Sequence, residues 1–175
     1  MKPDNLIKFI KDLYKSKEVI PLHEPYFDEE EKDSLMNAMD STFVSTAGPL
    51  VNDFENKIAQ YTGSKYAIAT SNGTSALHAA LVLEDVQRGD EVITQSLTFV
   101  ATVNAIHYCH ASPIFLDVDI NTLGLSANSL TIFLEEHGEV RDDGFCWNKF
   151  SGKRIAACLP MHTYGLSLDI YEIKK

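Results

Sequence analysis

The stretch from Tyr66 to Leu83, YAIATSNGTSALHAALVL, places the strongest constraint on the fold of this chain. The apolar run Tyr66–Ala69 is typical of a short buried strand, and the Ala/Leu segment Ala76–Leu83 favours a helix. A small polar turn with one glycine and four hydroxyl side chains connects the two segments. The sequence therefore predicts a strand that leads into a helix through a tight polar turn.

The start of this helix is a candidate site for a phosphate group. The first N–H groups of a helix have no acceptor within the helix, and the helix dipole places partial positive charge there. Thr74 and Ser75 would add hydroxyl donors at the same point. An ordinary capped helix in any α/β domain explains these residues equally well, so the pattern leaves both interpretations open.

Strands and helices alternate after this stretch, which predicts an α/β fold with a mostly parallel sheet and flanking helices. The further elements are predicted as strands at Glu91–Gln95, Pro113–Val118 and Ile155–Leu159 and as helices at Val100–Tyr108, Asn128–His137 and from Ser167. The polar segment 138–153 lacks periodicity and is predicted to be an excursion or a short hairpin.

Three helices are predicted before the first strand. They cover Asn5–Lys15, a segment that begins at a capping box of Asp28 and Glu31, and a segment from Val51 to a C-cap at Gly63. We therefore divide the chain into an N-terminal helical segment, residues 1–64, and the first part of an α/β domain, residues 65–175.

Charge and composition exclude several classes of protein. The formal net charge of -10 offers no basic face for nucleic acid. No apolar run approaches the roughly 20 residues that span a bilayer, and the N-terminus is too charged for a signal peptide. Cys109, Cys146 and Cys158 are odd in number and far apart, which argues against a disulfide framework or a zinc site. We expect a cytoplasmic protein that binds neither membranes nor nucleic acid.

The loops that follow the strands hold the candidate binding residues. In parallel sheets ligands bind beyond the carboxyl ends of the strands, so the loops Ser71–Ser75, Ser96–Phe99 and Pro160–Gly165 should converge. Phe99 is placed either to stack on a flat heterocycle or to fill the core. His162 is either an acid–base group or a hydrogen-bonded structural residue.

Two further pairs of residues predict no metal site. His107 and His110 lack a third ligand of a suitable kind. Asp117 and Asp119 resemble a paired-carboxylate site, but the Asn and Thr that follow favour a turn. The chain also contains neither the glycine fingerprint of a dinucleotide site nor a Walker lysine pattern.

Five ordered blocks resemble the DegT/DnrJ/EryC1/StrS family of sugar aminotransferases, which use pyridoxal phosphate. They are STFVSTAGPLVNDFENKIAQYTGSKYAIAT, GTSALHAAL, GDEVITQSLTFVATVNAI, PIFLDVDINTLGLS and MHTYG, and the resemblance covers nearly the whole chain from Ile20. The LHEP start at Leu22–Pro25, the STFVS block and the segment 138–153 are most similar to the branch that makes amino sugars for legionaminic acid or bacillosamine.

The resemblance implies a fold and a set of binding residues. The fold is the large domain of an aspartate-aminotransferase-like enzyme (fold type I), truncated within its sheet. The cofactor, pyridoxal 5'-phosphate, would be held by Gly73, Thr74, Ser75, Phe99 and Asn104, with the phosphate on the first three and the pyridine ring on Phe99. Gly48, Pro49 and His162 would lie near the substrate.

The resemblance also implies a reaction. Members of the branch transfer an amino group from glutamate to a UDP-linked 4-keto-6-deoxy-N-acetylhexosamine, in the biosynthesis of amino sugars for cell-surface polysaccharides, and the full-length form is expected to be a homodimer. The Asp that pairs with the pyridine nitrogen and the Schiff-base lysine are expected beyond Lys175, so we assign no catalytic residue in this chain.

Three alternatives stay open. A dehydratase of the same family carries a histidine in place of the lysine, and nothing before Lys175 separates the two reactions. A truncated product without catalysis is the second alternative. A Rossmann-type nucleotide-binding module is the third, and the absent glycine fingerprint counts against it.

We predict that the 175-residue polypeptide alone does not transaminate, because the catalytic groups that the resemblance requires are expected beyond it. We also expect an unpaired sheet edge and uncovered apolar faces, and hence poor solubility or a partner. The prediction of inactivity is tested by an assay for glutamate-dependent amination of a nucleotide-linked keto sugar. Product above the protein-free background would contradict the prediction.

Overall fold

The computed structural model describes residues 3–16, 18–21, 24–46 and 48–175. The chain divides into two compact units, residues 1–69 and residues 70–175. Leu22 and His23, which open the LHEP block, lie outside the described residues. No helix in the described part of the chain is long and apolar enough to cross a membrane.

The first unit contains the three predicted helices, α1 (Pro3–Leu13), α2 (Glu29–Asp40) and α3 (Pro49–Thr62). The capping box of α2 is present: the Asp28 side chain accepts from the Glu30 N–H at 2.9 Å, and the Asp28 N–H donates to the Glu31 carboxylate at 2.8 Å. Gly63 ends α3 in the left-handed region with φ +71°. The helix predictions for this segment are confirmed.

The predicted strand at Tyr66–Ala69 is wrong. This segment forms no strand, and Tyr66 and Ile68 are 73% and 84% exposed. The Ala69 N–H donates to the Glu55 carboxylate at 2.7 Å instead of to a neighbouring strand. A strand requires a second strand to pair its N–H and C=O groups, and no strand lies among the described residues of this unit. An apolar run alone cannot supply that partner.

The second unit is an α/β structure. Its elements are α4 (Gly73–Leu83), β1 (Glu91–Gln95), α5 (Val100–Tyr108), β2 (Ser112–Leu116), α6 (Ala127–His137), β3 (Gly138–Val140), β4 (Cys146–Asn148), β5 (Ile155–Cys158) and α7 (Ile170–Ile173). The sheet order is β2-β1-β5, and both pairings are parallel, with Ile93 opposite Ile114 and Cys158. The predicted parallel sheet with flanking helices is confirmed.

The central strand β1 separates two hydrophobic clusters. Successive side chains of a strand point to opposite faces, so Val92 and Ile93 enter different clusters. Val92 packs with Leu81 and Ile106 of α4 and α5, and Ile93 packs with Leu130 of α6. All five residues of β1 are buried, because β1 has a paired strand on each edge and helices on each face.

The segment 138–153 contains the antiparallel hairpin of β3 and β4, as predicted. The Arg141 guanidinium lies over the Trp147 ring with its carbon 4.5 Å from the ring centroid, and the indole N–H donates to the Asp143 carboxylate at 3.0 Å. The Asn148 side-chain amide donates to the Glu91 carboxylate at 2.9 Å. This last bond fixes the hairpin to the start of β1.

Asp119 stabilises the turn that follows it, which confirms that a turn follows this pair of carboxylates. The Asp119 carboxylate accepts from the N–H groups of Asn121 and Thr122 at 2.8 and 3.1 Å, and the Asp117 carboxylate accepts from the Val118 N–H at 2.8 Å. Within the described residues, no group of three or more His, Cys, Asp or Glu side chains is arranged to hold a metal ion.

The sheet of the second unit is incomplete at its edges. Among the described residues, the outer edge of β2 has no strand beside it, and β4 meets the start of β5 only through the bridge between Trp147 and Arg154. Phe115 on β2 is 50% exposed, and Leu83 at the end of α4 is 85% exposed. Open strand edges and uncovered apolar side chains are typical of a partial domain.

An ion pair fixes β5 to the amino end of β1. The Arg154 guanidinium binds the Asp90 carboxylate at 2.6 Å and also contacts the Asp85 carbonyl, and both charged side chains are nearly buried. Its hydrogen bond to Asp90 raises the pKa of Arg154 further above its ordinary value, so the guanidinium stays charged. The Asp90 carboxylate also accepts a hydrogen bond from the Arg154 Nε–H at 3.2 Å and one from the Gln87 N–H at 2.8 Å.

We predict that Arg154→Ala lowers the free energy of unfolding by about 3 kcal/mol, because it leaves the Asp90 carboxylate buried without its charged partner. Urea denaturation of the chain, followed by circular dichroism, measures the loss of free energy. Arg88→Ala is the matched control: Arg88 is exposed and has no ion pair among the described residues, so its effect should stay within about 0.5 kcal/mol. Equal losses for both variants would contradict the prediction.

Candidate functional site

A groove of about 740 Å³ opens at the carboxyl end of the sheet in the second unit. It lies between the start of α4, the start of α5 and the residues after β5. Its lining residues are Gly73, Thr74, Ala76, Leu77, Ala80, Phe99, Ala101, Thr102, Leu159, Pro160, Met161 and His162. The predicted convergence of three loops is therefore confirmed, and the volume is in the usual range for small-molecule sites.

The start of α4 presents two free N–H groups beside this groove. Asn72 is the N-cap, and its side-chain oxygen accepts from the Ser75 N–H at 2.9 Å. The N–H groups of Gly73 and Thr74 have no acceptor among the described residues. Because the helix dipole adds partial positive charge at this end, an anionic group of a ligand is favoured here.

Gly73 leaves space at this point that the fold itself does not use. Its φ does not lie in the left-handed region, and a Cβ built on it would meet no atom within 4 Å. Neither backbone conformation nor packing therefore explains a glycine at this position. Close approach of a ligand to the backbone is one physical reason for a residue without a side chain here.

Phe99 is an exposed aromatic ring at the rim of the groove. It is the N-cap of α5 and is 71% exposed, so it does not fill the core, which was one of the two interpretations of the sequence. Other phenylalanine side chains of the second unit are exposed as well, among them Phe115 and Phe150, so it is the position of Phe99 at the rim of the groove that distinguishes it. The ring is available to stack on a flat ligand.

His162 has one ring nitrogen occupied by the fold. Its Nδ1 accepts a hydrogen bond from the Leu168 N–H at 3.2 Å. In the neutral ring the proton therefore resides on Nε2, which is a hydrogen-bond donor. The structure supports a structural role for Nδ1 and leaves Nε2 to interact with a ligand in the groove.

Known proteins are similar to this chain in sequence and in structure. A sequence profile of the DegT/DnrJ/EryC1/StrS aminotransferase family matches residues 25–175. The chain belongs to this family. It is 42% identical, over 88% of its own length and 38% of the relative, to the GDP-perosamine synthase of Escherichia coli O157:H7. The chain spans 36–38% of the length of the curated relatives that it matches.

Solved structures share the fold. NtdA of Bacillus subtilis, with bound cofactor PMP, has a TM-score of 0.66 at 25% identity, over 91% of this chain and 35% of that one. A GDP-4-keto-6-deoxymannose-3-dehydratase with a trapped PLP-glutamate geminal diamine has a TM-score of 0.58 at 28% identity, over 65% and 31%. The structure of this chain is thus a partial aminotransferase-like α/β domain.

The structure brings together some of the predicted family site residues and not others. Gly73, Thr74, Phe99 and His162 line one groove. Ser75 instead lines a separate, more polar depression with Asn72, Thr74, His78 and Tyr108, and its hydroxyl lies 3.4 Å from that of Ser71. Asn104 is half-buried on α5 and does not line the groove. Gly48 and Pro49 start α3 in the first unit.

Sequence reasoning missed the residues that shape the far wall of the groove. Met161 lines it, and its sulfur accepts a hydrogen bond from the Thr98 hydroxyl at 3.0 Å, which in turn lies 2.8 Å from the Thr102 hydroxyl. Gln95, the last residue of β1, bonds the Met161 backbone. The sequence signal for Gln95 was a polar residue at the end of a predicted strand, next to a loop that holds candidate binding residues.

We predict opposite effects for the same substitution at two glycines of the second unit. Gly73→Ala should leave the stability unchanged or raise it by about 0.4–1 kcal/mol, because the new methyl group meets open space. Gly124→Ala should lower it by about 1–3 kcal/mol, because the new Cβ would lie 2.5 Å from the Cβ of Leu168. Thermal unfolding of both variants measures the difference. A comparable loss in Gly73→Ala would show that the fold requires this glycine.

Proposed function

We propose that the whole protein is a pyridoxal 5'-phosphate-dependent aminotransferase of a nucleotide-linked keto sugar, and that the groove of the second unit is part of its cofactor site. The observation that carries the proposal is the combination of two free N–H groups, a glycine that the fold does not require and an exposed phenylalanine on one groove. Membership of the family over residues 25–175 supports the same assignment.

The residues of this chain would hold the cofactor in three ways. The N–H groups of Gly73 and Thr74 and the Thr74 hydroxyl would bind the phosphate, aided by the dipole of α4. The Phe99 ring would stack on the pyridine ring. Nε2 of His162 would donate to a polar atom of the cofactor or the substrate. The cofactor, when bound, supplies an electron sink for the transfer of the amino group.

The sequence supports a more specific proposal for the acceptor sugar and the amino donor. The STFVS block and the hairpin segment 138–153 support a UDP-linked 4-keto-6-deoxy-N-acetylhexosamine as the acceptor and glutamate as the donor. The likeness to a GDP-perosamine synthase supports the broader class, a nucleotide-linked sugar. We further propose a cytoplasmic homodimer that contributes to cell-surface polysaccharide, with Gly48, Pro49 and His162 near the sugar and Ser75 and Asn104 near the cofactor.

A dehydratase is the second candidate, and the 28% identity to a solved sugar 3-dehydratase favours it. The residue at the position of the family's lysine separates the two reactions, since the dehydratase has a histidine there. Mass spectrometry of the sugar product that the whole protein forms decides between the two reactions. An aminated sugar supports the aminotransferase, and loss of water supports the dehydratase.

We predict that the 175-residue chain binds pyridoxamine 5'-phosphate saturably and binds pyridoxamine, which lacks the phosphate, much more weakly. The amine form is chosen because it cannot bond covalently to surface lysines. Phe99→Leu should weaken binding by about 0.5–1.5 kcal/mol, or roughly 2- to 12-fold, through the loss of ring stacking. Gly73→Ala should weaken binding without a loss of stability, since its methyl group would occupy the space beside the free N–H groups.

Isothermal titration calorimetry measures these affinities. Phe150→Leu is the matched control, because Phe150 is 92% exposed and does not line the groove. Equal affinity for the two ligands would contradict the phosphate role of α4. An equal effect of the two phenylalanine substitutions would contradict the stacking role of Phe99.

A further inference from the structure

Gln95 is a fully buried polar side chain that the proposed chemistry does not use. It ends β1 and is 0% exposed. Its Oε1 accepts a hydrogen bond from the Met161 N–H at 3.1 Å. Its Nε2 lies 3.0 Å from the Leu97 carbonyl, 3.1 Å from the Leu123 carbonyl and 3.0 Å from the Thr163 hydroxyl.

The chemistry of these partners allows only one orientation of the amide. The backbone N–H of Met161 requires an acceptor, and the two carbonyl groups require donors. A rotated amide would place oxygen against two carbonyl oxygens and nitrogen against an N–H. Glutamine thus matches its surroundings at every polar atom, as a buried amide must to avoid a desolvation cost.

The partners of Gln95 belong to three different loops at the carboxyl end of the sheet. Leu97 precedes Phe99, and Met161 and Thr163 flank His162, so two of these loops form walls of the groove. Leu123 belongs to the third, the turn after β2. The strands themselves do not connect these loops, because their ladder hydrogen bonds end before the loops begin.

The conformation of the third loop places the Leu123 carbonyl oxygen beside this amide. Leu123 has a φ of +57°, a conformation that is strained for a residue with a side chain, and its carbonyl accepts from both Gln95 and the Thr163 hydroxyl. The next residue, Gly124, lies so close to Leu168 that a Cβ would be 2.5 Å away. The strained backbone of Leu123 and the close approach of Gly124 to Leu168 lie on the two sides of the Leu123 carbonyl group. They indicate that these contacts determine the position of that carbonyl group.

We propose that Gln95 is a positioning residue that joins the three loops and so sets the distance between the Phe99 and Met161–His162 walls before a ligand binds. A preformed groove avoids the cost of ordering loops on binding. The inference rests on the proposed function only in naming the cofactor as the ligand; the ordering of the loops is a property of the chain itself.

The test compares two substitutions of buried amides. Gln95→Met removes the amide and keeps the length of the side chain. Asn148→Leu is the control, because Asn148 is also a buried amide, bonded to Glu91, but lies at the opposite end of the sheet. Both variants are measured in the 175-residue chain for urea stability, affinity for pyridoxamine 5'-phosphate and amide hydrogen exchange by NMR.

Gln95→Met should weaken ligand binding about tenfold, because the loops must then be ordered when the ligand binds, while Asn148→Leu changes it less than twofold. Exchange at Thr98 and Leu168, whose N–H groups donate to Ser96 and His162, should rise about tenfold beyond the change in global stability in Gln95→Met only. Unchanged exchange in these loops, or an equal change in both variants, would overturn the proposal. If the unaltered chain binds no ligand, the proposed function fails and the exchange result alone decides the role of Gln95.

A second pair keeps the test decisive if Gln95→Met does not fold. Thr163→Val removes the hydroxyl that accepts from Gln95 and donates to Leu123, whereas Thr163→Ser keeps it. Faster exchange at Met161 in the valine variant, restored in the serine variant, supports the proposal. Equal exchange in the two variants would overturn it.

Discussion

The structure of the second unit depends on the complete burial of β1. This strand is paired on both edges and covered on both faces, so every residue of Glu91–Gln95 is at most 7% exposed. Three of the five residues are polar, and a buried polar group destabilises the fold unless it is hydrogen-bonded. The Thr94 hydroxyl accordingly donates to the Leu159 carbonyl, and Glu91 accepts from Asn148. Burial of one strand thereby fixes the loops and the hairpin around it.

The hydrogen bonds of the buried polar groups have different roles at the two ends of β1. At the amino end, Asp90 and Arg154 form a nearly buried ion pair that anchors β5 and contributes stability. At the carboxyl end, Gln95 bonds groups from three loops, and the groove with Phe99 lies beside them. The nearly buried ion pair and the proposed cofactor groove thus lie at opposite ends of one strand, and the unpaired N–H groups and the exposed ring lie at the end that carries the groove.

Local patterns in the sequence were sufficient for most elements. The capping box of Asp28 predicted the start of α2, because a cap depends on neighbours a few residues away. The alternation of strands and helices after Leu83 predicted the parallel sheet, because such an alternation requires crossover connections. The strand at Tyr66–Ala69 was wrongly predicted, because a strand needs a partner from elsewhere in the sequence. The position of Ser75 outside the groove was missed for a related reason: the sequence places a residue near a helix start but does not give its direction.

The sequence by itself determined the family, the alternation of strands and helices after Leu83, and the residue that begins α5. These follow from composition, periodicity and ordered motifs, which are properties of short segments. Only the tertiary structure decided that Phe99 is exposed, that Gly73 faces open space and that Gln95 joins three loops. Exposure and the hydrogen bonds of Gln95 depend on segments as far apart as 68 residues, whose contacts form only when the sheet brings the ends of its strands together.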